Sequence, residues 1–186
     1  MSNLTRRTTL GALASAPLAA PFITPMAAQA LPVGAPAPEW DISEWMNSEP
    51  FSLADMKGRV VVIDFFQLWC PGCNNFSIPL TKEWEKKYAG AIAEERMQLV
   101  SIHTVFEGLD HQNPKRLRRF MEKKGFGHPV GVDRHGIHPH FPHTMILYGT
   151  RGTPEMAVID PDGRIAFQQF GYFEVPAVER LIDGML

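Results

Sequence analysis

The chain has 186 residues, 45% of them hydrophobic, with 18 Lys and Arg against 20 Asp and Glu, a formal net charge of −2 at pH 7. That balance supplies no basic surface for nucleic acid or an anionic membrane, and no later apolar run reaches the length of a membrane span, since the best one is interrupted by Asp64. With 2 cysteines in all, Cys70 and Cys73, the chain can build neither a multi-bridge disulfide scaffold nor a four-cysteine zinc site.

Thr5-Arg6-Arg7-Thr8-Thr9-Leu10, the mildly apolar stretch to Ile23 and the Ala28-Gln29-Ala30 cleavage site read as an export signal over residues 1–30. It resembles the twin-arginine type, although Thr9 stands where that motif prefers a large apolar residue, which leaves Sec export open. Leu31 to Leu186 is then a single mature domain expected in the periplasm or outside the cell, large enough to bury about two-thirds of its unfolded surface. Losing Arg6 and Arg7 takes its formal charge from −2 to about −4.

Leu31 to Pro38 is a Pro-rich entry segment, Glu39 to Phe51 a hairpin or short strand, and Ser52-Leu53-Ala54-Asp55 a capped turn closed by Lys57-Gly58. Val60 to Phe66 is an unbroken β-branched and aromatic run, which predicts a buried central strand. Trp69-Cys70-Pro71-Gly72-Cys73 follows at once, and Lys82 to Tyr88 has helical composition, so the cysteine pair falls at a strand-to-helix junction. In the first turn of that helix the free N–H groups and the positive end of the dipole favour an anion. Cys70 should therefore ionise more readily than a free thiol, as a nucleophile in disulfide exchange must.

Ala89 to Arg96 reads as a charged connection and Met97 to Val105 as a second strand. Asn113-Pro114 opens a helix that Gly125 ends, with Leu117, Phe120 and Met121 as its apolar stripe. Its Lys115, Arg116, Arg118, Arg119, Lys123 and Lys124 form a solvated face or a dock for an acidic partner. His128 to Val132 is a short strand, a loop follows, and Met156 to Ile159 and Ile165 to Phe170 form a hairpin about Pro161-Asp162-Gly163, before a final helix over Val175 to Leu186. The predicted fold class is α/β, a thioredoxin-like fold with an N-terminal hairpin extension and a central insertion.

These residues resemble the TlpA/ResA-like exported thioredoxins and, more broadly, the redoxin family. The motifs are Val33-Gly34, Ala37-Pro38, Ser52-Leu53 before Lys57-Gly58, the strand leading into Trp69-Cys70-x-x-Cys73, Gly152-Thr153-Pro154 and Ile159-Asp160-Pro161-Asp162-Gly163. The resemblance implies a redox-active Cys70–Cys73 disulfide, with Cys70 the attacking thiolate and Cys73 the resolving thiol. Trp69 would wall one side, and Pro154 would be cis, exposing the Thr153 backbone to an extended substrate. Asp64 would be the buried acid that takes or gives the Cys73 proton. It also implies no cofactor, protein thiols and disulfides as substrates, and re-reduction by a membrane thiol transporter of the DsbD/CcdA type.

The chain departs from the pattern in three places. Asp64, six residues before Cys70, stands where thioredoxins carry a buried acid but TlpA/ResA-like proteins often have asparagine, and its alternative reading is a satisfied strand residue. Phe76 replaces the ResA-type glutamate three residues after the second cysteine, and the helix proline comes one position late, as Pro79, so the helix kink is displaced and Asn74-Asn75 line the site differently.

Two histidine groups leave alternatives open. His103, Glu107 and His111 follow the second strand and either serve loop hydrogen bonding or share a proton or metal role near Cys70. His135, His138, His140 and His143 form a surface insertion, or a copper, nickel or zinc site that would suit an SCO-like copper chaperone, although those proteins space their cysteines as C-x-x-x-C. A thiol peroxidase is the remaining alternative. Peroxiredoxins set a Pro and a Thr ahead of their cysteine, where this chain has Ile63 and Gln67.

Overall fold

A computed structural model describes residues 30–136, 138 and 140–186, so the expected export signal falls, but for Ala30, outside the described residues. The sheet is organised around β2 (Val60–Phe66), every residue of which is buried. β2 runs parallel to β3 (Met97–His103) and antiparallel to β5 (Glu155–Ile159), the two-sided burial that its continuous apolar run requires. β6 (Ile165–Phe170) returns beside β5 through a turn whose Gly163 has φ +80°.

Of the hairpin or short strand expected over Glu39 to Phe51, the structure has the short strand, β1 (Ile42–Met46), paired antiparallel with β4 (Val130–Asp133), and the hairpin extension of the predicted fold does not form. Two interactions explain this. Asn47, at φ 62°, ends the strand and donates from Nδ2 to the carbonyls of Phe126 and His128 at 3.1 and 3.2 Å. Beyond it, Phe51 packs against Trp40 and Trp45, with ring centroids 5.4 and 4.3 Å away, and cannot return as a second strand. The sheet order is β1-β4-β3-β2-β5-β6. The N-terminal extension and the central insertion, which contributes β4, therefore pair with each other.

α1 (Ile78–Lys87), α3 (Pro114–Lys124) and α5 (Val175–Asp183) follow the sequence expectation. In α3 the Asn113 side chain accepts from Arg116 N at 3.1 Å and Gly125 closes the helix at φ +69°. Two short helices do not follow it. Ala89–Ala93, expected as a connection, is α2, because Ala91 buries against the core below Trp84 and Tyr88. His143–Leu147, expected as loop, is α4, because the buried Asp133 carboxylate accepts from Thr144 N and Met145 N at 2.8 and 3.1 Å and caps its first turn.

Alternation along β2 divides the core. Val61, Ile63 and Phe65 pack with Trp40, Leu53, Met56 and Tyr148 on one face. Val60 and Val62 pack on the other with α1, α2 and α5, and Phe66 there joins Cys70, Cys73, Ile78, Leu117 and Met121. Asp64 belongs by parity to this second face, the one that carries the cysteines.

Candidate active site

β2 ends at Phe66, and four residues later Cys70 opens the helical segment that leads into α1. Cys70 and Cys73 form a disulfide and are 7% and 0% exposed, so only Cys70 offers an edge to solvent. Cys73 N–H points to Cys70 Sγ at 3.1 Å, a contact that favours a thiolate at Cys70 once the bond is reduced. Asn74 fixes the approach loop, donating from Nδ2 to the carbonyls of Leu68 and Cys70 at 2.9 and 3.0 Å. Cys73–Ser77 is wound as a π-helical turn, and Pro79 stands in the first turn of α1, where its missing N–H costs little. The irregular turn lies directly before the late proline, where the sequence displaced the kink.

Thr153-Pro154 is the cis peptide bond among the described residues. Pro154 is buried, Thr153 half-buried, and the Pro154 ring lies so close to Gly72 that a Cβ there would come within 2.8 Å of Cδ. Pro154 O accepts from Gly171 N at 2.8 Å, which ties the loop to the end of β6. Trp69 is 47% exposed, and the far edge of its indole rests on the backbone of Gly108, at φ +65°. No side chain fits between them, so the glycine allows the β3–α3 loop to support the tryptophan. Nothing in the sequence singles out Gly108, which is one glycine among 15.

Asp64 is fully buried and faces the Cys73–Ser77 turn, and among the described residues neither carboxylate oxygen has a partner at hydrogen-bonding distance. Burial raises its pKa to about 7, and the nearby Ser77 hydroxyl offsets only part of that rise. A carboxyl poised near neutrality beneath the cysteine turn can hold a proton at one moment and release it at the next.

The structure does not bring His103, Glu107 and His111 together. Glu107 and His111 are exposed, whereas His103 is 1% exposed at the end of β3, its ring 5.4 Å from that of Phe66. Burial lowers the pKa of His103 to about 4, and Gln112 nearby offsets part of that, so its ring is neutral at pH 7. Gln112, which sequence reasoning missed, joins the two loops of the site. Its Nε2 donates to Gln67 Oε1 at 2.6 Å and to Glu107 O at 3.0 Å, while its Oε1 accepts from Leu68 N at 2.8 Å. Its position just before the α3 cap gives no hint of this, because the contact depends on how the loops meet.

Of the histidine insertion, His143 Nδ1 pairs with Asp41 Oδ2 at 2.9 Å, and His138 Nδ1 accepts from the backbone N–H groups of His140 and Phe141 at 3.2 Å. Among the described residues no three His, Cys, Asp or Glu side chains converge as a metal cluster.

The AhpC/TSA family model matches residues 33–168, from the entry segment into β6. The chain belongs to the AhpC/TSA family. It is similar to a crystallised thiol-disulfide isomerase from Corynebacterium glutamicum, at 36% identity and TM-score 0.75, over 82% of this chain and 96% of that one. It also resembles the thioredoxin-like protein YneN of Bacillus subtilis (strain 168), 23% identical over 81% of this chain and 78% of the relative. The thiol-disulfide oxidoreductase ResA of Bacillus anthracis is 22% identical over 75% of this chain and 70% of its own length. The resemblance to ResA-like redoxins and the thioredoxin-like fold read from the motifs are both borne out.

Proposed function

We propose that this chain is an exported thiol-disulfide oxidoreductase that reduces disulfides in protein substrates. The observation that carries this reading is the Cys70–Cys73 disulfide at a helix start, pressed against cis-Pro154. In the reduced protein the Cys70 thiolate attacks one sulfur of a substrate disulfide, and the other leaves as a thiolate that takes up a proton. Cys73 passes its proton to Asp64 and attacks Cys70 Sγ; the mixed disulfide breaks, the second substrate thiol departs, and the Cys70–Cys73 disulfide carries away the oxidising equivalents. The substrate backbone would lie along Thr153, with Trp69 walling the opposite side. A dithiol must then reduce the pair again, and a membrane thiol transporter of the DsbD/CcdA type is the proposed donor.

Two features favour the reductant direction: the buried Asp64, and Pro71-Gly72 between the cysteines in place of a histidine that would stabilise the reduced form. The export proposal rests on the paired arginines and Ala28-Gln29-Ala30, and no helix among the described residues is long and apolar enough to cross a membrane. Peroxide reduction is disfavoured by the surroundings of Cys70: Ile63 is buried in the core, and the side-chain oxygen of Gln67 is held by Gln112.

Trapping tests the assignment. Cys73→Ser should accumulate mixed disulfides with exported proteins, and Cys70→Ser should accumulate none and lose exchange. A Cys70→Ser protein with full exchange activity contradicts the reading.

A further inference from the structure

A buried polar run leads from the strand beside Asp64 to the surface. Ser101 is the residue directly paired with Asp64 in the parallel β2–β3 register, so both side chains project from the same face of the sheet. Ser101 is 0% exposed, and its Oγ lies 2.7 Å from Nε2 of His128, itself 5% exposed. His128 Nδ1 faces Glu85 Oε2 at 3.5 Å, and the Glu85 side chain is 30% exposed on α1. The walls around this run are apolar: Val62 and Phe66 flank Asp64 on β2, Met156 opposes it from β5, and the Phe126 ring lies 5.2 Å from that of His128. A serine, a histidine and an unpaired carboxyl placed together in such a core are costly unless they serve one another.

We propose that Ser101, His128 and Glu85 form the path by which Asp64 exchanges its proton with solvent while a protein substrate covers the disulfide. This rests on the exchange chemistry proposed above. The Asp64 carboxyl, whose oxygens make no hydrogen bond in the resting fold, turns toward Ser101 on the neighbouring strand and gives its proton to Oγ as the Ser101 hydroxyl proton passes to His128 Nε2. The His128 Nδ1 proton then goes to Glu85 and on to water. No electrons move, and beyond the proton lost by Asp64 the one net change is that His128 passes from its Nδ1–H to its Nε2–H tautomer, which the return of a proton undoes. The reverse sequence reprotonates it. The other polar and charged groups facing the path are Ser77 from the cysteine turn, His103 two residues further along β3, and Lys82 of α1, which also acts on Glu85 and donates to the Lys124 carbonyl of α3. The Glu85 carboxyl is held below its ordinary range chiefly by the neighbouring His128 ring, so a proton arriving there is readily released.

The test is the resolution rate of a preformed mixed disulfide between Cys70 and a peptide thiol, followed by stopped flow at low buffer between pH 6 and 8. Ser101→Ala, a near-isosteric change, and Glu85→Gln, at the surface, should each slow resolution by about tenfold to a hundredfold, the lower part of the range for positioned proton transfer. His128→Ala should be slowed similarly and recover on addition of imidazole. Ser101→Ala should have no further effect in an Asp64→Asn background, and the potential of the disulfide should stay at the wild-type value. Wild-type resolution rates in both Ser101→Ala and Glu85→Gln would overturn the path. So would a slow His128→Ala that imidazole does not restore. If the wild-type protein resolves no mixed disulfide, the exchange reading itself fails.

Discussion

The ring of Pro154 rests on the backbone of Gly72, so the cis-proline loop and the turn between the cysteines are packed as one unit. A Cβ at Gly72 would lie 2.8 Å from Pro154 Cδ and 3.3 Å from Cγ, closer than packed carbons come, and the rigid ring has little freedom to withdraw. Gly72 has ordinary helical angles, φ −62° and ψ −40°, so an alanine there is opposed by this contact alone. Gly72→Ala should cost about 1–3 kcal/mol and slow exchange with a protein substrate more than with a small disulfide. Denaturant melts and paired rate measurements check this, and a Gly72→Ala protein unchanged in both would show that the loop moves freely.

Asp64 should tie pH to both stability and turnover. Its pKa is about 7 when folded against an ordinary 3.8, so between those values the folded chain holds more protons than the unfolded chain. Stability from this group is therefore greatest below about pH 4 and falls as pH rises to about 7, by up to about 4 kcal/mol. Asp64→Asn should remove that slope and raise stability at pH 8 by about 1–3 kcal/mol, the amide itself remaining costly to bury. The same variant should slow the Cys73-dependent step by about a hundredfold. Melts across pH 4 to 9 and mixed-disulfide resolution rates measure the two effects.

His103 acts with the opposite sign. Burial lowers its pKa from 6.5 to about 4, so in that window the unfolded chain binds more protons and the contribution to stability is lost as pH falls. At pH 5 the deficit is about 2 kcal/mol. His103→Leu should abolish this acid-side loss in melts between pH 4 and 7, and an unchanged acid limb would mean that the ring is hydrated in solution.

Gly108 supports Trp69 and has φ +65°, so Gly108→Ala meets both backbone strain and the indole edge. It should cost about 1–3 kcal/mol and displace the ring. Because Trp69 adjoins Cys70, its fluorescence should change when the disulfide is reduced, and the variant should show a smaller change. An equal change in the two proteins would mean that the ring holds its place without the Gly108 contact.

The parts of the fold legible in the sequence were those governed by local rules. Val60 to Phe66 reads as a central strand because its seven residues are β-branched, aromatic or flanked by them, and Asn113-Pro114 and Gly125 mark α3 because capping is a nearest-neighbour matter. The parts that were not legible depend on contacts distant in the chain. β1 finds its partner in β4 rather than in its own return segment, and α4 exists because Asp133, at the end of β4, caps it across the intervening loop. The site divides the same way. The cysteines, Trp69, Asp64 and Thr153-Pro154 sit in recognisable motifs, whereas Gln112, Gly108 and the Ser101–His128 pair acquire their places only when the loops and strands meet. Of the candidate trio, His103 lies in the core while Glu107 and His111 face solvent, because the strand ends at His103.

The central claim is that Cys70 and Cys73 cycle between dithiol and disulfide as a reductant, and a redox titration of the chain from Leu31 onward against dithiothreitol or glutathione tests it most directly. The predicted result is one reversible two-electron couple near the thioredoxin value of about −270 mV. A couple near the strongly oxidising value of about −120 mV would contradict the reductant direction, and the absence of any reversible couple would contradict the oxidoreductase account itself.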